Sequence, residues 1–241
     1  VVKSLKEGIK KVEEMLGLKI NKAIVNVPEI DADFCLGEGI NTITSEEKII
    51  EGKDIVRALQ ASVYNKVPND RELVSILPLE FFVDDELVID PKNLKAEKLG
   101  VKSVVVSAPK VNVHPVIKCF EKLNIEVIDI TFGSIGDYAT FQTPELEQMI
   151  GAIINIGEDK TTVSIFNKGI ITNTEIIEVG GNNIDNDISF IYKVTKSDAR
   201  YLKENLALAD RRYADASETA DITNKLGEQL RINQYEITEI V

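Results

Sequence analysis

The protein has 241 residues, 44% of them hydrophobic and 28% charged, which suits one large domain or two to three small ones and not a disordered chain. Forty acidic residues against 28 basic ones give a formal charge of −12. That balance argues against a basic nucleic-acid-binding surface and is read as a solubility feature. Cys35 and Cys119 each lie beside a large apolar residue and are read as core thiols, not as a disulfide or redox pair. The single His114 has no second His or Cys at ligand spacing, and no G-x-S-x-G context accompanies it, so neither a metal site nor a histidine-dependent hydrolase is expected. No signal-peptide pattern is read in this sequence, and it contains no apolar run of about 18 residues.

The chain opens at Val1, without a Met, inside a helical pattern formed by Leu5, Ile9, Val12 and Met15/Leu16 and stopped by Gly17. Ala23–Val27 is a short strand closed by Pro28. Asp33–Ile43 is extended, Ser45–Lys48 is a polar loop, and Ile55, Leu59 and Val63 make the stripe of a helix over about Glu51–Val63. Leu73–Val83 is apolar and contains Pro78, so it is read as extended. Asp84-Asp85 and Asp90-Pro91-Lys92-Asn93 are turns, and the valine-rich Val101–Val106 is a buried strand. From Asp33 the order is strand, helix, strand, strand.

After Pro109 the pattern alternates. Val113, Ile117, Phe120 and Leu123 form a helical stripe with Asn112 as its cap, Ile125–Ile130 is a strand, and a helix-like run reaches Phe141. Gln142–Glu147 reads as a linker. Ala152–Ile156, Thr162–Phe166 and Thr174–Val179 are three strands, and Gly180-Gly181 precedes a helix over Ile184–Tyr192. The last 50 residues read as helical and charged, weakly structured around Ala216–Asp221, with Ile237–Val241 inside a further helix. Both ends read as internal to a longer chain.

The run Ile76-Leu77-Pro78-Leu79-Glu80-Phe81-Phe82-Val83-Asp84, followed by Asp90-Pro91-Lys92-Asn93-Leu94, resembles the I-P-x-x-F-x-V-D and D-P-x-x-M/L segments of the bacterial cell-division protein family FtsA. Ser45–Leu59, with Glu46, Asp54 and Arg57, matches that family's preceding loop and helix. Val179-Gly180-Gly181-Asn182-Asn183-Ile184-Asp185-Asn186-Asp187-Ile188 is similar to its V-G-G-x-x-I-T-x-D-I, and Ala199-x-x-Leu202-Lys203 to its A-E-x-L-K. The likeness is colinear and covers the middle of a family member. It implies an α/β, actin-like (ribonuclease H-like) two-lobed fold, incomplete here, with an inserted strand-helix-strand-strand subdomain. Residues 1–32 and 110–145 would belong to the first lobe and 33–109 to the insertion. Residues 146–192 would open the second lobe, and 193–241 its outer subdomain.

The resemblance also implies a site. In actin-like ATPases a D-x-G-G-G-T-T-type turn wraps nucleotide phosphates with backbone N–H groups and hydroxyls, while its Asp organises Mg²⁺ through water. Asn155-Ile156-Gly157-Glu158-Asp159-Lys160-Thr161-Thr162 stands there. The cofactor-binding residues expected on this ground are Asn155, Gly157, Lys160, Thr161, Thr162, Gly180, Gly181 and Lys203, with ATP and Mg²⁺ as the cofactors. Three departures weaken the loop: Asn155 replaces the Asp, and Glu158 and Asp159 replace glycines and bring carboxylates toward phosphate. Arg200 stands where the family often has a Glu near the ribose.

The implied function is a cell-division scaffold with weak or lost nucleotide binding, not an enzyme beyond at most a weak ATPase in the full-length parent, and with no catalytic residue. It would link FtsZ filaments, through the FtsZ C-terminal tail, to the membrane and recruit later divisome proteins through 33–109. It would self-associate into protofilaments and sit at the cytoplasmic face of the cell membrane at the division site, tethered by a C-terminal helix outside this chain. Two alternatives share the fold: an ATP-dependent phosphotransferase or ATPase of the actin, heat-shock and sugar-kinase superfamily, and a pilus-assembly actin-like protein. Within 33–109, Leu79, Phe81, Phe82 and Val83 are read mainly as strand core.

Overall fold

The computed structural model describes residues 1–241. The first helical stripe forms α1 (Val2–Leu16), which ends at Gly17, a residue in the left-handed region (φ 67°) that a side chain would strain. Then come β1 (Lys22–Asn26), β2 (Asp33–Thr42), α2 (Gly52–Ser62), β3 (Arg71–Val83), β4 (Glu86–Val88) and β5 (Lys98–Pro109). They are followed by α3 (Lys110–Glu121), β6 (Glu126–Thr131) and α4 (Gly133–Phe141). The strands β7 (Ile150–Ile156), β8 (Thr161–Asn167) and β9 (Ile170–Ile177) form one sheet in that order. The remainder is α5 (Gly181–Tyr192), α6 (Lys196–Asn205), β10 (Thr219–Thr223), β11 (Gln229–Asn233) and α7 (Gln234–Thr238). No helix is long and apolar enough to cross a membrane. The chain divides into two compact units, Val1–Ile153 with Ser164–Glu175 and Ile154–Val163 with Ile176–Val241.

In the first unit, β2, β5, β3 and β4 make an antiparallel sheet in that order. The strand-helix-strand-strand reading holds, with the short β4 added where Asp84 and Asp85, both at positive φ, turn the chain back. Helix α2 lies directly on β2. Its Glu51 backbone N–H is capped by the buried carboxylate of Asp54 at 3.0 Å, and Ser62 Oγ meets Ser103 Oγ of β5 at 2.7 Å. Glycines permit this contact: a Cβ on Gly37 would lie 2.4 Å from the Ser62 carbonyl, and one on Gly39 2.1 Å from that of Ala58.

Pro78 pairs with Ser103 and lies beside a register shift in the ladder to β5, where Leu79 is the extra residue; a bulge is a setting in which a strand accepts proline. The extra residue also redirects side chains. Leu77 and Leu79 pack against a core of Val27, Val104, Val106, Val113 and Phe132, whereas Phe81 and Val83 pack against Ile43, Ile50, Ala58 and Leu99. Phe82 faces the other way, beneath the Lys102 ammonium at 5.1 Å. Parallel pairing of β1 with β6, from Lys22↔Glu126 to Asn26↔Thr131, carries Val27 and Phe132 into the first of these cores.

Three local expectations need correction. Asn112 does not cap α3: the chain passes from β5 through Pro109 straight into the helix, and the Asn112 amide donates to the Ile30 carbonyl at 3.0 Å. Cys35 and Cys119 are only partly buried; burial nonetheless pushes the Cys35 thiol above its ordinary value. The tail of the chain is not simply helical. In the second unit β10 and β11 pair as a hairpin from Thr219↔Asn233 to Thr223↔Gln229, turned by Asn224 and by Gly227 at φ 83°. Ala220, Ile222, Leu230 and Ile232 join Ile188, Leu202 and Ile237 in the core, while Asp221 and Arg231 pair on the opposite side at 2.8 Å. The five-residue alternation is short and interrupted by charge, so helical spacing in its neighbours overshadows it.

The α2–β2 contact leads to a stability prediction. Gly39→Ala should cost about 3 kcal/mol, because the new methyl meets helix backbone that cannot yield without moving α2. Gly8→Ala in α1, with nothing within 4 Å, should stabilise by about 0.5–1 kcal/mol. Urea denaturation of both variants beside the parent protein measures the contrast.

Candidate functional site

All the residues expected to serve a nucleotide lie in the second unit. The β7–β8 hairpin closes with Gly157 N–H donating to the Lys160 carbonyl at 2.9 Å, leaving Glu158 and Asp159 at its tip. Behind the tip runs the chain that enters α5. A Cβ on Gly180 would stand 2.5 Å from the Glu158 carbonyl oxygen and 2.6 Å from that of Gly157, so only glycine allows the two backbones to meet. Gly180 N–H donates to Asn183 Oδ1 at 2.9 Å, which caps α5.

The first turn of α5 is bonded to the loop. Gly181 N–H donates to the Gly157 carbonyl at 3.0 Å, Asn182 N–H to the Glu158 carbonyl at 2.7 Å, and Asn182 Nδ2 to Asp159 Oδ1 at 2.8 Å. Thr161 Oγ donates to the Val179 carbonyl at 2.8 Å. Beneath these contacts sits Asp185, fully buried on α5. Two cations of α6 reach it: Lys203 Nζ at 2.6 Å and Arg200 Nε at 3.2 Å. Lys203 also donates to the Gly181 carbonyl at 2.9 Å, and Arg200 extends its far nitrogen to the Glu158 carboxylate. The bond to Glu158, then that to Asp185, holds the Arg200 guanidinium above its already high ordinary value.

Gly157, Thr161, Gly180, Gly181 and Lys203 are thus brought to one corner by named bonds. Lys160 contributes its carbonyl while its side chain is exposed, Asn155 is exposed near the end of β7, and Thr162 is half-buried on β8. Asp185 belongs to the corner and was not among the expected residues. The signal available was its place four residues after Gly181, which puts it on the same face of α5 as the helix start. The corner does not suit a triphosphate as it stands. The backbone N–H groups of Gly181 and Asn182 and the Thr161 hydroxyl already donate within the chain, and the tip carries two carboxylates.

Comparison with known proteins agrees with this layout. A family model described as Cell division protein FtsA matches residues 152–238, and one described as SHS2 domain inserted in FTSA matches residues 37–107. The cell division protein FtsA of Bacillus subtilis is 30% identical over 219 residues, 90% of this chain and 49% of that protein. The chain belongs to the FtsA family. The Enterococcus faecalis FtsA is 26% identical over 245 residues, covering 100% of this chain and 55% of its own length. The chain therefore spans about half the length of the curated FtsA relatives it matches. Among solved structures, a PilM-PilN type IV pilus biogenesis complex aligns with a TM-score of 0.53 at 11% identity, over 84% of this chain and 56% of that one. That likeness concerns the fold alone, which is actin-like.

Removing the buried carboxylate would leave Lys203 without its ion-pair partner in a largely buried position. Asp185→Ala should destabilise the second unit by about 3 kcal/mol, the low end for breaking a buried pair because Arg200 is half-exposed. Lys203→Met should cost less, since Arg200 remains on Asp185. Urea unfolding, read by amide exchange in α5 and α6, ranks the two.

Proposed function

We propose that this chain is the central portion of an FtsA-type cell-division scaffold, in which nucleotide binding is weak or lost. The scaffold links FtsZ filaments, through the FtsZ C-terminal tail, to the cytoplasmic face of the membrane and recruits later divisome proteins. The observation that carries the reading is the state of the β7–β8 corner: the N–H groups of Gly157, Gly181 and Asn182 and the Thr161 hydroxyl donate within the chain, and Glu158 is turned onto Arg200. Family membership supports the division role.

On this reading, residues 1–32 and 110–145 form part of the first actin-like lobe, and 33–109 the inserted subdomain that meets later divisome proteins. Residues 146–192 open the second lobe, and 193–241 begin the outer subdomain that receives the FtsZ tail. Match of the inserted-domain model to 37–107 supports the second of these spans. Self-association into protofilaments follows from the actin-like plan. Asn155, Gly157, Lys160, Thr161, Thr162, Gly180, Gly181 and Lys203 would be the residues nearest any nucleotide that enters.

Melting of the full-length protein tests the reading. At about 1 mM MgATP the midpoint should rise by about 1 °C or less, the shift expected when ligand does not exceed its dissociation constant. An FtsZ C-terminal-tail peptide should bind with equal affinity whether or not MgATP is present, as read by fluorescence anisotropy. A large upward shift with steady phosphate release would replace the scaffold by an ATPase.

A further inference from the structure

A helix N-terminus gathers anions because its first N–H groups lack partners inside the helix. At the start of α5 two of these groups are occupied by the Gly157 and Glu158 carbonyls, and the Asn182 amide by Asp159. The two cations nearest the corner are likewise engaged, Lys203 by Asp185 and the Gly181 carbonyl, Arg200 by Asp185 and Glu158. Glu158 is placed twice over: its backbone accepts from Asn182 while its carboxylate meets Arg200. A carboxylate fixed in this way has a high effective concentration at the cation, and a free anion has to displace it.

We infer that Glu158 and Arg200 form an internal latch, in which the loop's own carboxylate stands in for a bound anion, orders the loop without nucleotide and autoinhibits it toward polyphosphates. This rests on the reading of Asn155–Thr162 as a nucleotide-type loop. Arg200 is the positioning residue. Its planar guanidinium spans the buried Asp185 and the loop carboxylate together, which the single ammonium of a lysine is poorly shaped to do. A ligand competing for the corner meets the open form only, so its apparent affinity falls in proportion to the fraction of molecules whose latch is open.

Amide hydrogen exchange at Gly181 and Asn182 in the intact full-length protein tests the latch, with MgATP and inorganic pyrophosphate as probes. In the parent protein both amides should be protected without ligand, and neither probe should slow them further. Glu158→Gln should speed their exchange about threefold, the scale of a half-exposed ion pair, and Arg200→Ala about tenfold, because a bond to a buried carboxylate goes as well. Arg200→Lys should fall between the parent and the alanine variant. In Glu158→Gln, MgATP and pyrophosphate should now restore protection. Amides of α6 core residues such as Leu202 report whether each variant remains folded.

Unchanged exchange in folded Glu158→Gln overturns the latch, as do parent amides that become protected only when nucleotide is added. If exchange rises in Glu158→Gln but neither probe slows it, the latch stands as an ordering device. The nucleotide-type reading of the loop then falls, and autoinhibition with it.

Discussion

A carboxylate withdrawn from water has to be neutralised where it sits, and the second unit is arranged around one such group. Asp185 has no exposed surface, and its charge is met by Lys203 and Arg200. These three residues join α5 to α6 and, through Lys203 to Gly181 and Arg200 to Glu158, join both helices to the β7–β8 turn. The apolar core of Ile188, Leu202, Ile232 and Ile237 makes the helices associate, but burial of apolar area is non-directional. The ion pairs fix which turn of α6 faces which turn of α5, and so where the loop rests.

The same arrangement explains why a loop recognisable by family resemblance has different chemistry here. A phosphate-wrapping turn depends on free N–H donors and on the absence of competing negative charge. This turn has given its neighbouring donors to carbonyls and carries carboxylates at its tip. Arg200 and Glu158 are best understood together, since each compensates a charge that the other would otherwise leave unmatched. The corner is held together by bonds among its own groups, from the β7–β8 turn to α5 and α6.

Much of the fold was legible in the sequence because its signals are local. Pro78 forbids a helix, the valines of β5 favour a strand, Gly17 stops α1, and Gly180-Gly181 marks the entry to α5. Elements whose identity is set by partners were not. The β10–β11 hairpin has only alternate apolar residues over five positions, and its assignment depends on a core contributed by α5, α6 and α7. Asn112 had the chemistry of a cap, but the helix starts earlier and its amide is drawn to Ile30. The site was half legible: the glycines and Lys203 announced themselves by motif. The pairing of Glu158 with Arg200, 42 residues apart, follows from how the helices pack and has no spacing rule.

The bulge at Pro78–Glu80 has a consequence for how this family's sequences change over time. Just upstream of it Leu77 feeds one core; downstream, Phe81 and Val83, of the same parity, feed another. A substitution at any one of these positions is a local matter of volume. Loss of Leu79 itself, or gain of one residue beside it, would exchange the inner and outer faces of everything that follows in the strand. The segment should therefore accept point changes far more readily than changes of length, and its residue count should persist where its letters have drifted.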